Sequence, residues 1–314
     1  MKNALIPVGL CLLLLALAAL PLVAGAYLQG VLVGVMSAVV LASAWALFSG
    51  PTKYISLATV AFFGLGAYTV AVLADHVPFG LILIVAGAVG LAVALVVGLA
   101  TLRLAGVYFV IFSFGLAELV RQLITWAETT LNKTLGRYIF IDIDARGIYW
   151  LLLALAVATL ALRWWIERSR LGLAVHAIGD DETVARHAGI NVTAVKLALF
   201  AISAVIITLA GAIQAPRWTY VEPSIVFNPT ISFITLIMAL LGGATRLWGP
   251  VFGAVPLFFF FEWLSVKVPD QFSVILGLAF ILIVFLVPNG VLDLAQSALR
   301  RLGLPARGKE APHA

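Results

Sequence analysis

Long uncharged apolar runs follow one another along this chain, with only short polar interruptions between them. No charged residue lies between Lys2 and Lys53, and residues 197–216, 223–245 and 271–292 are also uncharged. A helix needs about 20 residues to cross a hydrocarbon core of about 30 Å, so each run is long enough to span a membrane. The runs lack the alternation of apolar and polar positions that is typical of barrel strands. The pattern therefore predicts an all-α integral membrane protein, a polytopic helical bundle.

Charged residues and Pro/Gly-rich breaks divide the chain into ten candidate spans. The predicted spans cover residues 4–24, 30–48, 54–74, 79–100, 106–126, 147–166, 196–215, 226–243, 248–266 and 272–288. The third and eighth hold Gly or Pro near their ends, so a short, broken or re-entrant form stays open, although full-length spans are favoured. We expect one transmembrane domain over residues 1–295 and a disordered cytoplasmic tail over 296–314.

Composition supports a membrane protein, and the positions of the charges give its orientation. Hydrophobic residues make up 63% of the chain and charged residues 11%, and the mean hydropathy is +1.15. The net charge of +5 would suggest nucleic acid in a soluble protein, but most of the 19 Lys and Arg residues lie at one set of span ends. This positive-inside bias predicts that both termini are cytoplasmic, and no nucleic-acid partner is expected.

The first span has two interpretations. Lys2, the apolar stretch after it and the small residues at 24–26 also resemble a signal peptide with a cleavage site. A retained span is favoured, because the positive region is a single lysine and another span follows within a few residues.

Glycine recurs in the spans at helix-packing positions. Small residues spaced by a turn let helix backbones approach closely, and glycines near span ends are also found in broken helices. The candidate packing or broken-helix glycines are Gly64, Gly66, Gly242, Gly243, Gly249 and Gly253.

The longest polar interruption covers residues 167–195, which the charge bias places in the cytoplasm. Within it, the sequence predicts a short helix with Asp180 or Asp181 as N-cap, acidic residues in its first turn and Gly189 as its C-terminal stop. Two roles stay open on physical grounds: a surface that fits a groove on another protein, and a solvated connecting helix.

The sequence gives no indication of enzymatic or metal chemistry. Cys11 is the single cysteine, so neither a disulfide within the chain nor a CxxC metal site is possible. The four histidines do not form an HExxH arrangement, and there is no GxxxxGK[ST] loop for nucleotide phosphates. We expect no catalytic residues and no cofactor in this chain.

Several segments together resemble the permease subunits of ABC importers for branched-chain amino acids, most closely the M-type of the two paired permeases. The similarity recurs in order over roughly residues 30–295. It is carried by residues 55–69, 168–172, 177–182, 188–191, Lys196 and 241–254.

This resemblance implies a translocation subunit in a bacterial cytoplasmic (inner) membrane. The implied partners are a homologous second permease, two ATP-binding subunits that hold ATP and Mg, an extracytoplasmic substrate-binding protein, and the lipid bilayer. The binding protein would deliver ligand to outer loops around residues 128–146 and 217–229. The loop at 167–195 would couple to the ATPases through Asp180, Asp181, Glu182, Ala185, Arg186 and Gly189.

Substrate identity is less closely defined by the resemblance. Branched-chain or related hydrophobic amino acids are expected, but related importers handle urea, amides or aromatic acids. Residues 49–53 and 129–137 depart from the Gly-rich stretches that are usual in the family. An autonomous secondary transporter is the alternative from another class. It would favour midplane ionisable residues, and few occur here.

Two charged residues lie inside a predicted span. Glu118 and Arg121 are spaced i, i+3 in the outer half of the fifth span. Charges in the hydrocarbon core are costly, so the two should pair or face a wet cavity. A structural ion pair, a contact to the partner permease and a position bordering the translocation pathway are all open, and we hypothesise the last.

Overall fold

The described part of the chain is a bundle of helices with one very small β-sheet. The computed structural model describes residues 14–286 except Arg103 and Ala105; Cys11, the start of the first span and the tail at 296–314 lie outside the described residues. The helices are α1 (Leu14–Val23), α2 (Ala26–Thr52), α3 (Thr59–Leu73), α4 (Phe79–Thr101), α5 (Val107–Ala127), α6 (Ala145–Glu167), α7 (Arg170–Asp180), α8 (Glu182–His187), α9 (Val192–Gln214), α10 (Pro223–Val226), α11 (Thr230–Gly242), α12 (Gly249–Lys267) and α13 (Phe272–Leu286).

Within the described residues, each predicted span contains a helix, which confirms the all-α polytopic class. Seven of the described helices are long and apolar enough to cross a membrane, counting α10 and α11 together. The favoured full-length form is wrong for the third span, because α3 has 15 residues and rises only about 22 Å. The eighth span is broken at residues 227–229, where Pro229 has no N–H to continue the preceding helix.

The core forms around α2 and α9, which are apolar on nearly every side. The α2 helix packs against α6, α9, α11 and α12, while α9 also packs against α3 and α4. Ser203 on α9 donates a 2.7 Å hydrogen bond to the carbonyl of Ala44 on α2. By contrast, α4 and α5 expose most of their surface, so they form the periphery of the bundle.

Glycines permit backbone contact at two places. A Cβ atom at Gly66 on α3 would overlap the carbonyl of Thr208 on α9, and one at Gly211 would overlap the carbonyl of Phe63. Side chains at these positions would force the two helices apart.

The second place where glycines permit close backbone contact is the turn between α11 and α12. Gly243 ends α11 with φ of 93°. Cβ atoms at Gly242, Gly249 and Gly253 would overlap the carbonyls of Gly249, Gly243 and Met238. Gly64, the remaining predicted packing glycine, lies against the ring of Phe227.

At the opposite end of the bundle, two loops that are distant in the sequence are joined by the pairing of two short strands. Strand β1 (Arg137–Tyr138) pairs antiparallel with β2 (Tyr220–Val221), with Arg137 opposite Val221. The loops that were predicted to face a receptor, 128–146 and 217–229, therefore form one surface.

Candidate functional site

The polar stretch 167–195 folds into a pair of helices, α7 and α8. Asp181 is the N-cap of α8, since its Oδ1 accepts hydrogen bonds from the amides of Thr183 (2.7 Å) and Val184 (3.1 Å). Asp180 instead ends α7, so the alternative that it caps the short helix is wrong. Gly189 follows α8 with φ of 82°, a left-handed conformation that suits glycine.

The α7 helix was missed by sequence reasoning, although its apolar spacing indicates it. Leu171, Val175 and Ile178 follow at intervals of four and three residues, which places them on one helical face. Val175 and Ile178 are buried.

Glu182 points into the helical bundle and not towards solvent. Its Oε2 accepts hydrogen bonds from Lys196 Nζ at 2.6 Å and from the Tyr54 hydroxyl at 2.9 Å, and Arg186 donates to Oε1 at 2.8 Å. Lys196 also donates to the Tyr54 hydroxyl at 2.7 Å and stands 4.0 Å from the centre of its ring. We call Tyr54, Glu182 and Lys196 the coupling cluster, because they join α8 to α9 and to the segment before α3.

The electrostatics of the coupling cluster favour one protonation state at neutral pH. Burial raises the pKa of Glu182, but hydrogen bonds from Lys196 and Tyr54 outweigh it and hold the pKa below its usual value. Burial and the hydrogen bond to Glu182 raise the pKa of Tyr54 to about 12. A carboxylate and a neutral phenol therefore meet Lys196 at pH 7.

The pair of helices also docks through small residues. Ala185 is 1% exposed and packs with Ile178 and Val192. A Cβ at Gly179 would overlap the carbonyl of Pro51 at the end of α2, and Lys53 forms a 3.2 Å ion pair with Asp180 nearby. The predicted coupling residues are thus divided between two faces. Glu182 and Ala185 anchor the helix, and the exposed members are Asp180, Asp181, Arg186 and Gly189.

Residues 53–58 are not helical, and we call them the interrupted segment. Side chains of three helices form hydrogen bonds with the backbone of this segment and of the start of α3. The amide of Leu57 donates to Ser113 Oγ on α5 at 2.9 Å, and Trp45 on α2 donates to the carbonyl of Ser56 at 2.7 Å. Ser232 on α11 accepts from the amide of Val60 and donates to the carbonyl of Leu57, both at 2.9 Å.

These bonds explain how irregular backbone can lie among membrane-spanning helices. Backbone groups without helical partners are tolerated there only when protein or a wet cavity satisfies them. Sequence reasoning missed Ser113 and Ser232, whose only signal is an isolated hydroxyl in an apolar run.

Arg163 lies near the end of the sixth predicted span, where the charge pattern favours an aqueous boundary, but the structure buries its side chain. Its side chain is 3% exposed and donates to the carbonyl of Ala244 at 2.8 Å and to Glu167 at 3.0 Å. A Cβ at Gly50 would overlap that same carbonyl of Ala244. Arg163 therefore ties the glycine turn between α11 and α12 to the end of α6.

Glu118 and Arg121 pair with each other on the outer surface of this chain. Arg121 donates to the two carboxylate oxygens at 2.9 and 2.5 Å, and Gln122 donates to Oε1 at 2.9 Å. The side chains of Glu118 and Arg121 are 46% and 30% exposed. The pair thus lies on the free face of α5 and does not line a cavity between helices of this chain.

Near the small sheet, Glu128 forms a 2.9 Å ion pair with Arg137 of β1, and the Glu128 side chain is only 5% exposed. Within residues 14–286, as far as they are described, no group of three His, Cys, Asp or Glu side chains is arranged to hold a metal ion.

Comparison with known proteins identifies the family. Residues 9–285 match the family model described as the permease component of the branched-chain amino acid transport system. The chain belongs to this permease family. The match confirms the resemblance on which the coupling interpretation depends.

Individual relatives include two branched-chain amino acid permeases. The high-affinity branched-chain amino acid transport system permease proteins LivM of Salmonella typhimurium and Escherichia coli are 27% and 26% identical over 283 residues. Each alignment covers 80% of this chain but 66% of the relative, so the chain spans slightly less than two thirds of their length.

Sugar permeases are also similar to this chain, but over a smaller part of its length. The ribose import permease protein RbsC of Escherichia coli is 27% identical over 43% of the chain and 44% of its own length. The xylose transport system permease protein XylH of Haemophilus influenzae is 30% identical over 43% of the chain and 40% of its own length. No solved structure matches the chain.

Proposed function

We propose that this chain is the transmembrane permease subunit of an ATP-binding cassette importer in a bacterial inner membrane. It works with a homologous second permease, two ATP-binding subunits that hold ATP and Mg, and an extracytoplasmic binding protein. The observation that carries this proposal is the coupling cluster, in which a short cytoplasmic helix is tied by buried polar contacts to the interrupted segment.

The contacts support a mechanical route from the ATPases to the bundle. Val184, Arg186 and His187 are exposed on α8, so they offer a surface to an ATP-binding subunit. Glu182, the first residue of α8, holds Lys196 of α9 and Tyr54 of the interrupted segment. A displacement of α8 therefore moves both together and shifts the population between inward-open and outward-open packings.

The interrupted segment is the part of the bundle best suited to move. Single hydroxyls from Ser113 and Ser232 hold its backbone, and exchanging a few side-chain bonds disturbs less structure than unwinding a continuous helix. Gly66 and Gly211 keep α3 against α9, so movement of the segment is transmitted along α3.

We propose branched-chain or related hydrophobic amino acids as the substrates. The relatives named for these substrates align over 80% of this chain, whereas the ribose and xylose permeases align over 43%. Urea, amides and aromatic acids are the alternatives for an importer of this type.

The position of Glu118 and Arg121 supports a role at the pathway between two permeases. A charge pair on the free face of a membrane span is costly against lipid, so this face is expected to meet protein or water. In this proposal α5 faces the second permease, and the pair borders the translocation pathway.

Reconstitution into liposomes tests the function. Radiolabelled leucine should accumulate only when the second permease, the ATP-binding subunits, ATP-Mg and the binding protein are all present. Leucine uptake by this chain without ATPase and binding protein would contradict the proposal and favour a secondary transporter. Accumulation of ribose or urea in place of leucine would overturn only the substrate.

A further inference from the structure

A cluster of aromatic and basic side chains lies at the cytoplasmic end of α6. We call Trp164, Trp165, Arg168 and Arg170 the Arg168 patch. The guanidinium carbon of Arg168 is 4.2 Å from the centre of the Trp164 ring, a cation–π contact. All four side chains are exposed, Trp164 by 45% and Trp165 by 58%.

The patch carries positive charge that its neighbours do not neutralise. The adjacent carboxylate, Glu167, accepts a hydrogen bond from the buried Arg163. Among the described residues, neither Arg168 nor Arg170 takes part in an ion pair. The α7 helix begins at Arg170 with no acidic residue in its first turn, so its positive end adds to the same field.

The depth of the patch distinguishes it from an ordinary cytoplasmic charge. Trp164 belongs to the membrane-spanning α6, one turn before its end at Glu167. Arg168 lies just beyond that end, yet its guanidinium folds back onto the Trp164 ring. Long basic side chains at span ends usually extend towards water, so the stacking holds Arg168 in the opposite direction. Tryptophan prefers the headgroup level, and Arg168 is held at that level too.

We propose that the Arg168 patch binds the phosphate of an anionic phospholipid in the cytoplasmic leaflet. A guanidinium fits phosphate through two parallel hydrogen bonds, and stacking on Trp164 orients it before the lipid arrives. Anionic headgroups are concentrated at this leaflet, where basic residues near the surface attract them. The proposal does not depend on which solute the permease carries.

Lipid retention tests the proposal. The purified chain is placed in nanodiscs with equal amounts of phosphatidylglycerol and phosphatidylcholine, and the lipids that remain bound after detergent extraction are counted by native mass spectrometry. We expect wild type to retain phosphatidylglycerol selectively and Arg168→Gln to reduce this retention about fivefold, the contribution of one basic residue near a membrane surface. Trp164→Leu should reduce it as well, because the guanidinium is then no longer held at the headgroup level.

The control is Arg146→Gln, a basic residue in the first turn of α6 at the opposite end of the same helix. It should leave phosphatidylglycerol retention unchanged. If Arg168→Gln does not fold, Arg170→Gln replaces it, since that exposed side chain is expected to contribute in the same direction.

Three results would overturn the proposal. If both Arg168→Gln and Trp164→Leu retained as much phosphatidylglycerol as wild type, the patch would not be a lipid-binding site. Weaker association of these variants with the ATP-binding subunits, at unchanged lipid retention, would assign the patch to protein docking. Displacement of the lipid by equimolar soluble glycerol phosphate would assign it to a free anion.

Discussion

Lys196 donates a 2.6 Å hydrogen bond to Glu182 from a position in which the lysine side chain is only 1% exposed. Both residues also contact the Tyr54 hydroxyl. A buried ammonium is stable only when paired, so α8 is fixed to α9 and to the interrupted segment by the same contact.

Replacing Lys196 should destabilise the protein by leaving Glu182 without its main partner. We expect Lys196→Met to cost about 2–3 kcal/mol of unfolding free energy, the range for a lost charge-assisted hydrogen bond whose partner stays partly buried. Glu182→Gln in the same chain should recover part of this loss, because no unpaired carboxylate then remains. Thermal unfolding of the two single variants and the double variant measures the coupling. Additive losses would show that the two residues do not interact.

Acid should weaken the coupling cluster through Glu182. Its pKa is lower in the folded protein than in the unfolded chain, so its contribution is complete above an unfolded pKa of about 4.3 and is lost as the pH falls through the folded value. The melting temperature of wild type should therefore fall more than that of Glu182→Gln between about pH 6 and pH 3, the window around that pKa. Parallel melting curves for the two proteins would contradict the assignment.

High pH should weaken the coupling cluster through Tyr54, whereas low pH weakens it through Glu182. Its pKa is raised to about 12, so its contribution is complete below the unfolded value of about 10 and is lost as the pH rises towards 12. The difference in ultraviolet absorbance between wild type and Tyr54→Phe isolates this phenol. We expect its ionisation well above that of the exposed tyrosines, and a midpoint near 10 would show that the phenol is not held in the cluster.

The contact between α3 and α9 requires glycine. Gly66→Ala should cost about 1–3 kcal/mol by forcing a methyl group against the carbonyl of Thr208. Gly115→Ala on α5 is the matched control, because its Cβ would meet open space and alanine favours a helix. Equal thermal stability of the two variants would mean that α3 and α9 do not approach as closely as described.

Ser232 should be needed for the interrupted segment. Ser232→Ala removes the acceptor for the Val60 amide and the donor for the Leu57 carbonyl, so we expect a loss of about 1–3 kcal/mol. The exposed Ser265 on α12 supplies the control, and Ser265→Ala should be nearly neutral. Differential scanning fluorimetry in detergent compares the two.

The sequence predicted the positions of the helices well, because each span is a long apolar run with charged or Pro/Gly-rich ends. It also located the polar loop at 167–195 and limited the N-cap of its short helix to Asp180 or Asp181. The partners of Glu182 were not predictable, since Lys196 and Tyr54 are 14 and 128 residues away along the chain. The late start of α3 was not predictable for the same reason. The backbone groups before and at its start are hydrogen-bonded by Ser113 and Ser232, which lie on helices that are remote in the sequence.

Arg163 shows the limit of the charge pattern. Basic residues near span ends usually reach the aqueous boundary, and the sequence shows only that Arg163 lies near such an end. Its burial depends on Glu167 one turn later and on the carbonyl of Ala244, which only the fold brings near.

The most direct test is the number of ATP molecules hydrolysed per leucine imported by the reconstituted complex, compared between wild type and Glu182→Gln. Thr183→Ala, at an exposed position on the same helix, is the control. If α8 drives the bundle through the coupling cluster, Glu182→Gln should still hydrolyse ATP while leucine uptake falls about tenfold or more, equivalent to a coupling loss of about 1.4 kcal/mol. Leucine uptake and ATP hydrolysis both at the wild-type rate in folded Glu182→Gln would contradict the account.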